Sequence, residues 1–193
     1  MFYKFAKLVV WIVFKFLFQI KIIGKKNVPK SGPTIICSNH ISNFDPPVVG
    51  ITCPRDIRFM AKEELFEKKG IGLLLRNLQA FPVKRGMRDR NALRKGLELL
   101  ESGGTLGLFP EGTRSKDGNL KEGLAGAGFF AMRSNAQVIP CAIIGSYNFF
   151  KPLYVIYGKP IDFQSLKGDK QNARMVTDEI MENIQSLLDE NKK

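Results

Sequence analysis

The sequence predicts an α/β protein with a largely parallel, mixed sheet flanked by helices and preceded by an N-terminal amphipathic helix. Two observations carry that prediction. From residue 33 onward, short runs that are continuously apolar alternate with segments of helical period. A strand apolar on every residue suits a sheet buried on both faces, and such sheets are mostly parallel, with helices on each side. The 193 residues, 44% of them hydrophobic, suffice for one core, and no repeat, low-complexity tract or long linker divides them. The expected division is a membrane-anchoring segment over residues 1–24 and one domain over 25–193.

The elements follow in order. Thr34–Ser38 is apolar and β-branched, the first buried strand. Ile57–Ala61 is the second, followed by a helix over Lys62–Asn77, and Ala80–Val83 is the third. Asp89 caps a helix running through Ser102, with Leu93, Leu97 and Leu100 on one side and Gly103–Gly104 closing it. Thr105–Phe109 is strand-like, and Leu120–Asn135 is a Gly/Ala-rich helix. Val138–Ile144 and Tyr154–Tyr157 are strands, and Asn172–Leu188 is an amphipathic closing helix. Pro140 marks its strand as an edge or a bulge, because proline cannot donate to a ladder.

The formal net charge is +12, and its distribution tells more than its size. Between Met1 and Phe44 stand seven lysines (4, 7, 15, 21, 25, 26 and 30) and no acidic residue. Such a block suits an anionic lipid surface or nucleic acid. The residues between those lysines are strongly apolar, which a merely solvated face does not explain. A secretory signal does not fit, because Lys15 interrupts the apolar run and no small-residue cleavage site follows. A spanning helix would put Lys15 near mid-bilayer, at about 2.5–3.5 kcal/mol. Over Met1–Ile23, at about 100° per residue, Lys4, Lys7, Lys15 and Lys21 fall within a sector of roughly 120°, which also holds Trp11. That pattern favours a helix lying in the interface, lysines toward the phosphates, ended by Gly24. A buried core helix and a tilted span are the alternatives. The three cysteines, Cys37, Cys53 and Cys141, are odd in number and far apart, so they form no disulfide framework and no paired metal spacing.

In such a sheet ligands bind beyond the carboxyl ends of strands, where the polar motifs lie. His40, the single histidine, follows the first strand, and Asp45 comes five residues later. In one helix that pair would diverge by about 140°, but Asn43 and Pro46 signal a turn that can fold the carboxylate back. A carboxylate on one ring nitrogen sets the tautomer and orients the other as a base. A lone histidine serves as readily in a core. No G-x-S-x-G elbow is present, and Cys37, on a buried strand, reads as core. With one base and no evident nucleophile, direct attack by a substrate hydroxyl is the economical chemistry.

Phe109–Ser115 follows another strand, and Pro110 and Gly112 force a tight loop. Its amides, the Thr113 hydroxyl and the Arg114 fork suit a phosphate, while Glu111 can accept from a polyol. An ordinary polar turn would have a similar composition. Lys84 and Arg85 follow a third strand and either bind phosphate or solvate a loop.

In order and spacing these segments resemble the glycerolipid acyltransferase family, and within it the bacterial 1-acyl-glycerol-3-phosphate acyltransferases. Asn39, His40 and Asp45 match its N-H-x4-D motif, and Phe109–Ser115 match F-P-E-G-T-R-S without a gap. Phe81–Arg85 match a second motif, with Gln79 at its usual glycine, and Ile139–Pro140 a fourth. The resemblance implies His40 as base, Asp45 as its partner, and an acyl thioester of acyl-carrier protein or coenzyme A as donor. It implies lysophosphatidic acid as acceptor, held by Glu111, Gly112, Thr113 and Arg114 with help from Arg85 and Lys84, giving phosphatidic acid. Glycerol 3-phosphate and other lysophospholipids are alternative acceptors, and a non-catalytic basic module binding lipid or nucleic acid is the rival outside the class. The thioester carries its own activation, so no metal or cofactor is expected. Nucleic acid is not an expected partner. The expected place is the cytoplasmic face of the cell membrane, peripherally on an anionic surface.

Overall fold

A computed structural model of the chain describes residues 2–84, 89–115, 117–163 and 172–191. Helix α1 (Phe2–Leu17) leads into strand β1 (Gln19–Ile23) and a 3-10 turn at Lys25–Asn27. Next come β2 (Thr34–Ser38), α2 (Asp45–Thr52), β3 (Ile57–Lys62), α3 (Glu64–Glu67), α4 (Ile71–Asn77) and β4 (Phe81–Val83). The remainder is α5 (Arg90–Glu101), β5 (Thr105–Leu108), α6 (Gly126–Arg133), β6 (Gln137–Gly145), β7 (Pro152–Tyr157) and α7 (Ala173–Asn191). The strands form one sheet in the order β1-β7-β6-β2-β5-β3-β4. Among these seven strands the β6–β7 pair alone is antiparallel, so the predicted largely parallel, mixed sheet is the one observed.

Strand β2 occupies the middle because its two faces are equally apolar. Ile35 and Cys37 enter a core with Leu100 of α5, Phe130 of α6 and Ile180 of α7. Ile36 enters the opposite core, with Val48 and Val49 of α2 and Ile139 of β6. Each buried isoleucine of this kind contributes about 1.5–3 kcal/mol of transfer free energy. From β2 the chain runs out to β3 and β4, returns to β5, and crosses to β6 on the other side. The strand order therefore reverses at β2, and a crevice opens at its carboxyl end.

Four expectations are corrected. The helical period of Met1–Ile23 resolves into two elements. Phe18 turns inward, and the β-branched Ile20, Ile22 and Ile23 extend the sheet by pairing with the free edge of β7. Gly24, at φ 68°, turns the chain after that strand rather than stopping a helix. The helix expected over Lys62–Asn77 is broken into α3 and α4, with Gly70 at φ 83° between them and Gly72 packed against the Phe66 backbone. The helix expected from Leu120 begins only at Gly126, because the preceding backbone is tied elsewhere: Lys121 N donates to Glu111 and Leu124 N to the Pro110 carbonyl. Pro140 lies in an interior strand, so of the expected edge or bulge the edge is excluded, while between the Cys141–Tyr157 and Val138–Ile161 pairs the segment after β7 holds one residue more than β6. The Pro140 carbonyl accepts from Gly158 N just past the end of β7, so the donor it lacks faces the place where the neighbouring ladder has run out.

Helix α1 also presents its faces differently from the lysine sector expected. Lys7 is half-buried, donating to the Cys53 carbonyl at 2.8 Å and that of Arg55 at 3.1 Å, and burial lowers its pKa. Tyr3 exchanges hydrogen bonds with the Ile57 backbone, and Trp11 is half-buried. Phe5, Leu8, Val9, Ile12, Val13 and Phe16 are exposed, and at about 100° per residue they span a sector of roughly 140°. Lys15, also exposed, borders that sector, while the side chain of Lys4 lies outside what is described. Among the described residues no helix is long and apolar enough to cross a membrane.

Helices α6 and α7 cross closely at Gly128, where an added Cβ would overlap the Ala173 carbonyl oxygen. Gly128→Ala must push the two helices apart and should destabilise the fold by about 1–3 kcal/mol. Urea unfolding checks this, with the midpoint falling at unchanged slope.

Candidate active site

Strand β2 ends at Ser38, and the next two residues belong to the site. Asn39 pins its own position by a reciprocal pair with Ile143 of β6: its amide donates to the carbonyl at 3.0 Å, and its oxygen accepts from the N–H at 2.7 Å. His40 follows at the mouth of the crevice. The chain then turns so that Asp45, opening α2, faces backward, and Pro46 and Pro47 suit the first helical turn, where no N–H is needed. The Asp45 carboxylate is buried. Its Oδ2 accepts from Ile41 N at 2.6 Å and Ser42 N at 2.7 Å, and it sits 2.7 Å from His40 Nδ1. These bonds form the turn that the i,i+5 spacing required. An ionised carboxylate only accepts, so Nδ1 carries the proton, and Nε2 is the acceptor nitrogen. The imidazole stacks on Phe109, centroids 4.2 Å apart, which itself stacks on Phe59. The ring is held from one side by charge and along its face by carbon.

The Phe109–Ser115 loop grips the same residue through its backbone. Glu111 Oε1 accepts from His40 N at 2.7 Å, and Ser115 N donates to the His40 carbonyl at 2.7 Å. Glu111 Oε2 accepts from Lys121 N at 3.1 Å. Glu111 is buried, and burial raises its pKa against the lowering effect of those two amides. Its oxygens thus meet backbone donors, where the sequence pointed to a polyol. Gly112, at φ 68°, closes the turn by donating to the Phe109 carbonyl, and a Cβ there would collide with Leu124. Thr113 and Arg114 are exposed beside it, and Lys121 Nζ donates to the Arg114 carbonyl. Lys84 is exposed at the end of β4, with Nζ 3.8 Å from Glu63, and Arg85 lies outside the described residues. Gln79, where a glycine was expected, holds φ 57°, a left-handed conformation that glycine adopts without strain.

The setting of the three thiols disfavours the thiolate that a nucleophile needs. Cys37, Cys53 and Cys141 are all buried, and burial pushes their pKa values up, that of Cys141 to about 12. Sequence reasoning missed Tyr147, whose hydroxyl donates to Asp45 Oδ1 at 2.6 Å from the loop after β6. It also missed the Phe109 stack. No local pattern marks either, because both contacts join strands far apart in sequence. A cleft of about 500 Å³ opens beside this group, lined among others by Ser42, Ser115, Asn119, Tyr147 and Leu188.

A largely parallel α/β sheet thus carries a buried carboxylate and a paired imidazole at the carboxyl end of its central strand, beside an open cleft. Comparison with known proteins gives the class: the acyltransferase family profile matches residues 19–144, and the chain belongs to that family. It is 32% identical to the 1-acyl-sn-glycerol-3-phosphate acyltransferase of Bacillus subtilis (strain 168), covering 98% of each chain. The protein of that name from Borreliella burgdorferi is 28% identical over 68% of this chain and 54% of its own length. Among solved structures, the 1-acyl-sn-glycerophosphate (LPA) acyltransferase PlsC of Thermotoga maritima superposes with a TM-score of 0.78 at 25% identity, over 99% of this chain and 80% of that one.

The two amides on Glu111 generate a test. Glu111→Gln leaves one acceptor oxygen for two donors, so one N–H faces an amide NH₂. The loss should fall on kcat, about tenfold or more, with the acceptor KM within about twofold. Steady-state kinetics check it; a loss confined to KM would return Glu111 to direct substrate contact.

Proposed function

We propose that the chain is a 1-acyl-sn-glycerol-3-phosphate acyltransferase, in which His40 Nε2 takes the proton from the free hydroxyl of lysophosphatidic acid. The alkoxide oxygen attacks the thioester carbonyl, the C–S bond breaks, and the imidazolium returns its proton to the departing thiolate. The product is phosphatidic acid, and the donor is an acyl thioester of acyl-carrier protein or coenzyme A. One observation carries the reading: the loop suited to a phosphate and the base are one unit, since Glu111 and Ser115 bond the two ends of the His40 residue. A phosphate against Thr113 and Arg114 would then bring the glycerol hydroxyl to a fixed place relative to Nε2. Lys84 and Arg85 extend that cationic rim. The name and near-full coverage of the Bacillus relative support the same acceptor.

The acceptor resides in a bilayer, and the exposed face of α1 suits the enzyme to reach it there. A 16-residue helix is about 24 Å long, short of a hydrocarbon core of about 30 Å. It therefore lies in the interface, with Phe5, Ile12 and Phe16 toward the acyl region and Lys15 reaching up to the phosphates. Exposed Phe149 and Phe150 lengthen this surface, Phe150 with its ring 6.5 Å from that of Phe16. Exposed Lys151, next to Phe150, adds charge of the sign an anionic cytoplasmic leaflet attracts.

A thiol-release assay crossing both donors with lysophosphatidic acid and glycerol 3-phosphate tests the acceptor. Turnover with lysophosphatidic acid and little with glycerol 3-phosphate is expected, and the reverse would reassign the substrate. In the same assay His40→Ala should lower turnover by about 10²–10⁴-fold with circular dichroism unchanged.

The anchor is tested without touching β1. The triple variant Phe5→Ser, Ile12→Ser and Phe16→Ser removes three side chains, each worth about 1.5–3 kcal/mol when buried. It should lose cosedimentation with anionic vesicles by at least about a hundredfold in partition coefficient while staying folded. Undiminished binding would put the anchor elsewhere.

A further inference from the structure

The two oxygens of Asp45 are served from different places. Oδ2 is held locally, by His40, Ile41 and Ser42. Oδ1 is held by Tyr147, 102 residues away in sequence, at 2.6 Å. Tyr147 belongs to none of the motifs that mark the site, and it lies three residues from Phe150 in the loop between β6 and β7. Its ring is fixed edge-on to Phe18 at 5.5 Å and tilted on Phe44 at 5.6 Å. Phe44 immediately precedes Asp45, and Phe18 lies between α1 and β1. The ring is therefore clamped by the segments that enter the site, its hydroxyl bonds Asp45, and Tyr147 lines the cleft.

We propose that Tyr147 is a positioning residue for the His40–Asp45 dyad, its hydroxyl fixing Oδ1 so that Oδ2 stays aligned with the imidazole. The inference rests on the general-base reading of His40. A carboxylate bound on Oδ2 alone can rotate about its C–C axis, and a second anchor on the other oxygen removes that freedom. The donated proton also disperses charge from the carboxylate and so moderates its hold on the imidazole proton during transfer. The other titratable groups facing this pair are few among the described residues: Glu111, through the His40 amide, and Cys141 from β6. Burial, then the charge of Asp45, pushes the Tyr147 hydroxyl above its ordinary pKa, so it remains a donor across any assay range.

Tyr147→Phe removes the hydroxyl and keeps the aromatic packing. In the full chain, kcat should fall about tenfold with the acceptor KM within twofold. The acid limb of the pH–rate profile should move up by about one pH unit, because the less stabilised carboxylate holds the dyad's proton to higher pH. An unmoved acid limb overturns the proposal, whether kcat holds or falls. A second arm adds Tyr147→Phe to Asp45→Asn. If Tyr147 acts through Asp45, the double variant turns over within twofold of Asp45→Asn alone; a repeat of the full tenfold loss overturns the proposal. His40→Ala, run alongside, separates the two readings. Turnover near wild type there would sink the general base itself, whereas a dead His40→Ala beside an unaffected Tyr147→Phe removes only the role given to Tyr147.

Discussion

A carboxylate taken fully out of water must be met on both oxygens, or burying it costs several kcal/mol. Asp45 is such a group, and much of the site can be understood as the answer to its burial. Two amides from the preceding turn, an imidazole and a phenol converge on it. Meeting that demand bends residues 41–45 into the turn that delivers His40. The same demand draws the loop after β6 across the top of the sheet. A charge that would destabilise the fold if left alone has become the point about which the His40 imidazole is oriented.

His40 is constrained a second time through its backbone. Glu111 takes its N–H and Ser115 donates to its carbonyl, so the Phe109–Ser115 loop cannot move without moving His40. The chain gives up regular structure for this. Lys121 and Leu124 would continue α6 backward by a turn and more, but their N–H groups bond Glu111 and the Pro110 carbonyl instead. Gly123, packed on Thr177 and Met181 of α7, fits that irregular path. The site is thus built by withholding a helix from residues whose composition would have allowed one.

The N-terminal segment divides its side chains between two tasks. Tyr3, Lys7 and Phe14 dock α1 onto the domain, while Phe5, Ile12 and Phe16 face outward. Phe14 and Phe18 then pack on Phe44, and Phe18 on Tyr147. The proposed bilayer surface is consequently continuous with the aromatic group beside Asp45, and docking and anchoring share one helix of 16 residues.

Much of this was legible in local sequence. The two-sided apolar character of Thr34–Ser38 and Val138–Ile144 determined a buried parallel sheet, since only burial on both faces removes the need for alternation. His40, Asp45 and the 109–115 loop were marked by residue types and spacings that turns and phosphates require. Tertiary structure decided what local pattern cannot encode. Ile20–Ile23 has a helical period and a β-branched composition at once, and only the unpaired edge of β7 selects the strand. Pro140 is tolerated inside the sheet because β7 ends beside it. Glu111 meets the His40 amide, and Lys7 the Cys53 carbonyl, because buried N–H and C=O groups lie within their reach. Tyr147 carries no local mark at all: its role exists only because β6, lying beside β2, brings the following loop to Asp45, and pairing between strands a hundred residues apart is a property of the whole sheet.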